Sequence, residues 1–319
     1  MKKIAVLTSG GDAPGMNAAI RAVVRTTIYN GCEAVGIKRG YAGLIDGDFT
    51  KLDLGSVADI IQRGGTFLHT ARSEEFMTKE GKEEALESIR IHKIDGLVVV
   101  GGDGSFRGAR ELCELNVPVI GVPATIDNDI FGTDLTIGFD TAVNTALDAI
   151  NRIRDTATSH ERIFLIEVMG RNSGWLALEA GLAGGAESIL VPETPVDYET
   201  IVKRLQRGLD RGKRHSIILV AEGVGSAFDV KRKIQELADY DIRVTVLGHT
   251  LRGGTPSATD RIIASKMGAF AVNLLLDGKT DLMAGMVGNH VVGIPLQEII
   301  GKKKGIDEYV HNLAGILAI

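Results

Sequence analysis

Short apolar runs alternate with amphipathic stretches along nearly the whole chain, and that alternation leaves few architectures open. Runs rich in β-branched residues occur at Ile4–Leu7, Ala34–Ile37, Leu97–Val100 and Val117–Val122. A second group occurs at Ile163–Val168, Ser188–Val191, Ser216–Ala221 and Val244–Leu247. Among them lie Met16–Tyr29, Lys82–His92, Ala142–Arg154, Thr200–Asp210 and Ala258–Leu276, with apolar residues at helical spacing. Nearly continuous apolar strands separated by helices imply parallel sheets buried on both faces. Two such groups predict an α/β chain of two doubly wound lobes, each a mostly parallel sheet flanked by helices. The boundary falls near Ile137-Gly138-Phe139, with a return near Leu251. The larger lobe is then 1–138 plus 252–305, and the smaller 139–251 plus 306–319.

Composition narrows the function classes. A chain of 319 residues with 44% hydrophobic and 24% charged residues buries a large core without staples. The net charge of −5, the absence of a Lys/Arg tract and the count of nine Phe, five Tyr and one Trp argue against a general nucleic-acid binder. The run after Met1-Lys2-Lys3 is too short for a signal-peptide core, and no 18-residue apolar stretch follows, so no membrane association is expected. Cys32 and Cys113 lack metal-ligand spacing and fit a reducing cytoplasm.

Three loops after strand-like runs carry the chemistry. Thr8-Ser9-Gly10-Gly11-Asp12-Ala13-Pro14-Gly15-Met16-Asn17 joins a strand to a helix. Glycines there let backbone N–H groups approach a phosphate at a helix N-terminus. The string is neither a Walker A loop nor a Gly-x-Gly-x-x-Gly fingerprint, and a tight β–α turn explains a Gly-Gly pair equally well. Gly101-Gly102-Asp103-Gly104-Ser105 follows the next run, where Asp103 can hold Mg²⁺ or open a turn before a helix at Phe106–Leu115. Pro123-Ala124-Thr125-Ile126-Asp127-Asn128-Asp129 follows the fourth run. Residues two apart on an extended segment face one side, so Asp127 and Asp129 can share a cleft, or stabilise a turn. Paired carboxylates after neighbouring strands suggest phosphoryl transfer, one taking a hydroxyl proton and another helping to anchor metal-bound phosphates.

Such a site needs cations. Arg72, Arg162, Arg171, Arg243, His249 and Arg252 occupy Gly-rich or strand-flanking contexts suited to phosphate. A second basic set, Arg21 and Arg25 on one helix face and Arg211-Gly212-Lys213-Arg214-His215, reads from patterning as solvated charge.

Ser9–Asn17, Gly101–Ser105, Thr125–Asp129, Met169-Gly170-Arg171 and Arg252-Gly253-Gly254, in this order and over nearly the whole chain, resemble the bacterial ATP-dependent 6-phosphofructokinases. The resemblance implies transfer of the ATP γ-phosphoryl group to the 1-hydroxyl of fructose 6-phosphate with Mg²⁺, in a phosphofructokinase-like fold whose larger lobe binds ATP and whose smaller lobe binds the sugar. It makes Asp127 the general base, with Thr125, Asp129 and Arg171 in the catalytic group and Asp103 on the metal. It places Gly11, Arg72, Ser73, Gly102, Asp103, Gly104 and Ser105 on ATP. Thr125, Asp127, Met169, Gly170, Arg171 and Glu222 would meet the sugar or the reacting group, and Arg162, Arg243, His249 and Arg252 the 6-phosphate. Arg162 and Arg243 would come from a neighbouring subunit of a homotetramer. The same resemblance overturns the solvated reading of the second basic set: Arg21, Arg25, Asp59, Arg154, Gly185, Glu187, Arg211, Lys213 and His215 match an effector site for ADP and phosphoenolpyruvate. Gly104 and Ala124 stand where pyrophosphate-dependent relatives carry Asp and Lys, which favours ATP. Ala124, Leu251 and Trp175 depart from the usual Gly, Gln and Asp.

Overall fold

A computed structural model describes Met1–Ala318. The apolar runs become strands and the amphipathic stretches helices. In chain order the elements are β1 (Lys3–Thr8), α1 (Met16–Tyr29), β2 (Glu33–Ile37), α2 (Gly40–Asp46), β3 (Phe49–Leu52), α3 (Lys79–Ile91), β4 (Gly96–Gly101), α4 (Asp103–Glu114), β5 (Val119–Pro123) and α5 (Phe139–His160). There follow β6 (Ile163–Val168), α6 (Trp175–Ala183), β7 (Ser188–Leu190), α7 (Tyr198–Asp210), β8 (Ser216–Ala221), α8 (Ala227–Leu237) and β9 (Ile242–Val246). The chain ends with α9 (Ala258–Leu276), β10 (Leu282–Val287), β11 (His290–Pro295), α10 (Leu296–Ile299) and α11 (Glu308–Leu317).

Two compact units result. The first comprises Met1–Ile126, Ile130–Thr141 and Arg252–Lys304; the second comprises Asp127–Asp129, Ala142–Leu251 and the chain from Gly305 onward. The first unit holds a seven-stranded sheet in the order β11-β10-β5-β4-β1-β2-β3. Five strands are parallel; β3 and β11 run antiparallel to their neighbours at the two edges. Its core joins Leu7, Leu97, Val99 and Phe106 with Leu44 and Leu112 from the covering helices, all fully buried. Burial of side chains of this kind contributes roughly 1.5–3 kcal/mol each before ordering costs.

The second unit holds a four-stranded parallel sheet, β7-β8-β6-β9, whose core includes Leu165, Ile218, Val220 and Ile234. Helix α7 shows how the sequence builds a layer here. Asp197 caps it by accepting the Thr200 N–H at 3.0 Å, and Ile201, Leu205 and Gly208 form the buried stripe.

Three expectations are corrected. The sheets have seven and four strands, because β3, β10 and β11 escaped the reading. Edge strands β3 and β11 are half exposed and lack a continuous apolar signal. Helix α4 begins at Asp103, three residues before the expected start, because Gly and Asp are tolerated in a first turn that needs no side-chain propensity. Helix α5 is longer than expected, reaching from Phe139 to His160. Among the described residues, no helix is long and apolar enough to cross a membrane.

Candidate active site

Strand order fixes where ligands can sit. In the first sheet the chain leaves β1 through α1 toward β2 on one side, and leaves β4 through α4 toward β5 on the other. The carboxyl ends of β1 and β4 therefore flank a switch point, the usual ligand crevice of an open α/β sheet. Ser9 closes that end by donating its N–H to the Val100 carbonyl at 3.0 Å.

Gly10 and Gly11 are exposed at the tip, and α1 starts after Gly15. The strip Thr66–Ser73 lies along this loop. Thr8 Oγ1 donates to the His69 carbonyl at 2.8 Å, and Thr70 Oγ1 donates to the Gly10 carbonyl at 2.7 Å. Arg72 is exposed two residues beyond Thr70, and Ser73 Oγ accepts the Phe76 N–H at 3.2 Å. Arg252 belongs to the same unit and donates from Nη1 to the Asp12 carbonyl at 3.1 Å.

At the β4 end, Gly102 is the N-cap of α4, so Asp103, Gly104 and Ser105 form its first turn. The unpartnered N–H groups of that turn and the helix field suit an anion. Asp103 is held by Arg107 at 2.9 Å, one turn on. Tyr41, buried, donates its hydroxyl to the Ser105 carbonyl at 2.6 Å. Burial holds that phenol well above its usual pKa, so it stays a donor. Thr125 stands 3.9 Å from the position a Gly102 Cβ would take.

The second sheet has its own switch point, between β6 and β8, since β6 leads to β7 on one side and β8 to β9 on the other. Met169, Gly170 and Arg171 follow β6, and Glu222 follows β8. The Gly223 N–H donates to the Gly170 carbonyl at 3.1 Å, and a Cβ on Gly223 would stand 2.1 Å from the Arg171 carbonyl, so only glycine allows this approach. Asp127 belongs with this unit: Ser173 Oγ donates to its main-chain carbonyl at 2.9 Å. Burial alternates along the segment, with Ile126, Asn128 and Ile130 buried and Thr125, Asp127 and Asp129 half exposed. The segment is not the extended one expected: Ile126–Asp127 form a turn and Asn128 has φ 48°, and the turn leaves Asp127 and Asp129 both half exposed.

Residues 3–275 match the phosphofructokinase family. The chain belongs to it. Curated relatives named ATP-dependent 6-phosphofructokinase, from Oceanobacillus iheyensis and Halothermothrix orenii, are each 58% identical over all of this chain and all of theirs. Among solved structures, the phosphofructokinase of Saccharomyces cerevisiae superposes with a TM-score of 0.87 at 40% identity, covering 93% of this chain and 45% of that one. A pyrophosphate-dependent phosphofructokinase from Marinobacter aquaeolei superposes with a TM-score of 0.86 at 25% identity, covering 97% of this chain and 86% of that one. The family and the fold expected from the motifs are both borne out.

The remaining predicted residues of the second unit divide by the polarity of its sheet. Arg171 and Glu222 stand at its carboxyl end, and His249 is exposed on the turn Gly248–Arg252 that follows β9. Arg162 and Arg243 stand at the amino end, roughly 20 Å away along a six-residue strand. Both grip Asp241, at 3.1 Å from Arg162 Nε and 3.3 Å from Arg243 Nε. Reading the sequence missed Asp241, which has no motif signal beyond its place before a strand.

The second basic set is also split. Arg21, Arg25 and Asp59 lie in the first unit, on α1 and in an exposed loop. The others gather at the amino ends of β7 and β8. There Arg154 donates to the Gly184 and Gly185 carbonyls, and Lys213 pairs with Glu187. Glu187 is only 7% exposed and also accepts the Ile217 N–H at 2.5 Å. It lines a cavity of about 580 Å³ together with Arg204 and His311, which the motifs did not flag. Arg211 is exposed and His215 half buried beside it in sequence.

The three departures are accommodated. Ala124 is buried and donates its N–H to the Gly101 carbonyl at 2.9 Å; Leu251 is fully buried, so an apolar side chain suits it. Trp175 Nε1 donates to the Gly305 carbonyl at 3.1 Å.

Proposed function

We infer that this chain is an ATP-dependent 6-phosphofructokinase, converting fructose 6-phosphate and ATP to fructose 1,6-bisphosphate and ADP. The observation that carries the reading is full-length identity of 58% to relatives of that name, on a chain that keeps Asp103, Asp127 and Asp129 after the expected strands. The sugar 1-hydroxyl attacks the γ-phosphorus as its proton passes to the Asp127 carboxylate. The new O–P bond forms while the bond from the γ-phosphorus to the β–γ bridging oxygen breaks, releasing ADP. Ser173, bonded to the Asp127 carbonyl, keeps that residue in place. Arg171 offsets charge on the phosphoryl group in flight, and Thr125 and Asp129 complete the group around it. Met169, Gly170 and Glu222 contact the sugar. His249 and Arg252 bind its 6-phosphate.

ATP is held by Gly11, Arg72, Ser73 and the turn Gly102–Ser105. Among the described residues no cluster of three His, Cys, Asp or Glu could hold a metal alone. Asp103, with a 39% exposed carboxylate beside the open Gly104, fits an ion that completes its shell with donor phosphates and water. When bound, Mg²⁺ neutralises charge on the donor phosphates.

Arg162 and Arg243 stand a strand length from Arg171 and Glu222, which supports their service to a neighbouring copy and hence a homotetramer. Arg154, Gly185, Glu187, Arg211, Lys213 and His215, with Arg21, Arg25 and Asp59, serve an effector site for ADP and phosphoenolpyruvate at an interface between subunits. Lys213 on the buried Glu187 supports a site able to tell a bare anion from a metal-bound nucleotide. The enzyme works in the cytoplasm, where Cys32 and Cys113 stay free thiols.

A coupled assay with fructose 6-phosphate, Mg²⁺ and either ATP or pyrophosphate, with and without ADP and phosphoenolpyruvate, tests the reading. Turnover with ATP alone, raised by ADP and lowered by phosphoenolpyruvate, is expected. Turnover with pyrophosphate alone would favour the activity named for the Marinobacter relative.

A further inference from the structure

Asp260, in the first turn of α9, is 0% exposed. Its Oδ1 accepts the Gly138 N–H at 2.8 Å, and its Oδ2 accepts the Thr141 N–H at 2.8 Å and the Thr141 hydroxyl at 2.5 Å. Those N–H groups flank the start of α5, where a helix leaves donors unpartnered and favours negative charge. The bracing is reciprocal: Ser257, the N-cap of α9, donates its N–H to Thr141 Oγ1 at 2.9 Å and its hydroxyl to Asp140 at 2.5 Å. A buried carboxylate is a costly way to join two helices, since apolar packing does so without desolvating a charge.

What Gly138 is tied to supplies the reason. Its neighbour Ile137 donates its N–H to the Pro123 carbonyl at 3.0 Å and pairs with Ala124. Ala124 in turn donates to the Gly101 carbonyl at 2.9 Å, and the Thr136 hydroxyl donates to the Thr125 carbonyl at 2.6 Å. Gly15, at the end of the first loop, packs against Ile137 and Asp260. One carboxylate is thereby linked to the three connections that carry the kinase chemistry of the first unit: Gly10–Gly15, Gly101–Ser105 and Ala124–Thr125. Gly101 and Pro123 are the last paired residues of β4 and β5, so Ala124 and Thr125 lie just past the end of that ladder.

We propose that Asp260 is a positioning residue for phosphoryl transfer: it touches neither substrate and, through Gly138 and Thr141, fixes the main chain at Ala124–Thr125, the base of the segment bearing Asp127. This rests on the kinase reading. Small displacements of a reacting group lower turnover far more than affinity.

The test compares wild type, the near-isosteric Asp260→Asn, and Ile263→Ala, a core change in the same helix chosen for a similar fall in melting temperature. Asp260→Asn should lower kcat by about 10–100-fold with both KM values within about threefold. Its amides in 124–138 should exchange at least about tenfold faster. Ile263→Ala should keep kcat within about twofold. Equal kcat in the two variants overturns the proposal and leaves Asp260 a stability residue. If Asp260→Asn does not accumulate folded, Thr141→Val removes one of the three bonds to Asp260, together with the acceptor of the Ser257 N–H, and should lower kcat about 3–10-fold; an unchanged kcat there also overturns it. Wild type inactive with ATP and fructose 6-phosphate would instead sink the kinase reading. Exchange protection over 124–138 then decides the bracing role by itself, and unaltered protection in Asp260→Asn refutes it.

Discussion

The Arg252 guanidinium lies against Gly11, with Nη1 only 2.3 Å from the point where a Gly11 Cβ would stand. Gly11 has an ordinary backbone, so alanine there meets no torsional strain and simply evicts the arginine from the Asp12 carbonyl. Gly11→Ala should change stability by less than about 1 kcal/mol. Steady-state kinetics should show kcat/KM for fructose 6-phosphate lower by about 10–100-fold. Kinetics like wild type would mean that Arg252 has no role on this loop.

Nothing stands within 4 Å of a Cβ built on Gly104. The fold therefore tolerates Asp there, and any penalty must come from the nucleotide. For Gly104→Asp we expect an unchanged melting curve and a KM for ATP at least about tenfold higher, through repulsion of the donor phosphates. An unchanged KM would remove the argument that Gly104 selects ATP.

Asp241 holds both Arg162 and Arg243 in half-exposed ion pairs, which contribute about 0–1 kcal/mol each to stability. Their value lies in orientation. Asp241→Asn should leave melting unaltered and raise KM for fructose 6-phosphate about 3–10-fold, with kcat within about twofold. A change in kcat with constant KM would move these arginines from binding into the chemical step.

Burial raises the Asp260 pKa above its usual carboxylate value, only partly offset by the bonds from Thr141 and Gly138. A carboxyl with a raised folded pKa binds its proton more tightly when folded. Its stabilising contribution is full below the unfolded value of about 3.9 and is lost as pH rises through the folded value. Asp260→Asn lacks this linkage. Denaturation of both proteins across mild acid should therefore show the stability of wild type relative to the variant growing as pH falls through that window. A constant difference would show that the group does not titrate differently on folding.

Much of this was legible before any coordinates, and the gaps have physical causes. Strands buried on both faces announce themselves, so β1, β4, β6 and β8 were read almost to the residue, whereas the edge strands β3 and β11 were not. The two-residue spacing of Asp127 and Asp129 presumes an extended segment, whereas Ile126–Asp127 form a turn and Asn128 has φ 48°, a conformation the residue types do not announce. The start of α4 was expected at Phe106 rather than Asp103 because local propensity cannot tell a loop from the first turn of a helix. Asp241 and Asp260 were invisible for a different reason: each acts on partners brought near only by the fold, the one across parallel strands and the other between helices far apart in sequence.

The account stands on one proton transfer, and turnover of Asp127→Ser at saturating ATP and fructose 6-phosphate measures it most directly. A folded variant that still binds both substrates should turn over at least about 10²–10⁴-fold more slowly than wild type. Turnover within about tenfold of wild type would show that another group takes the sugar's proton.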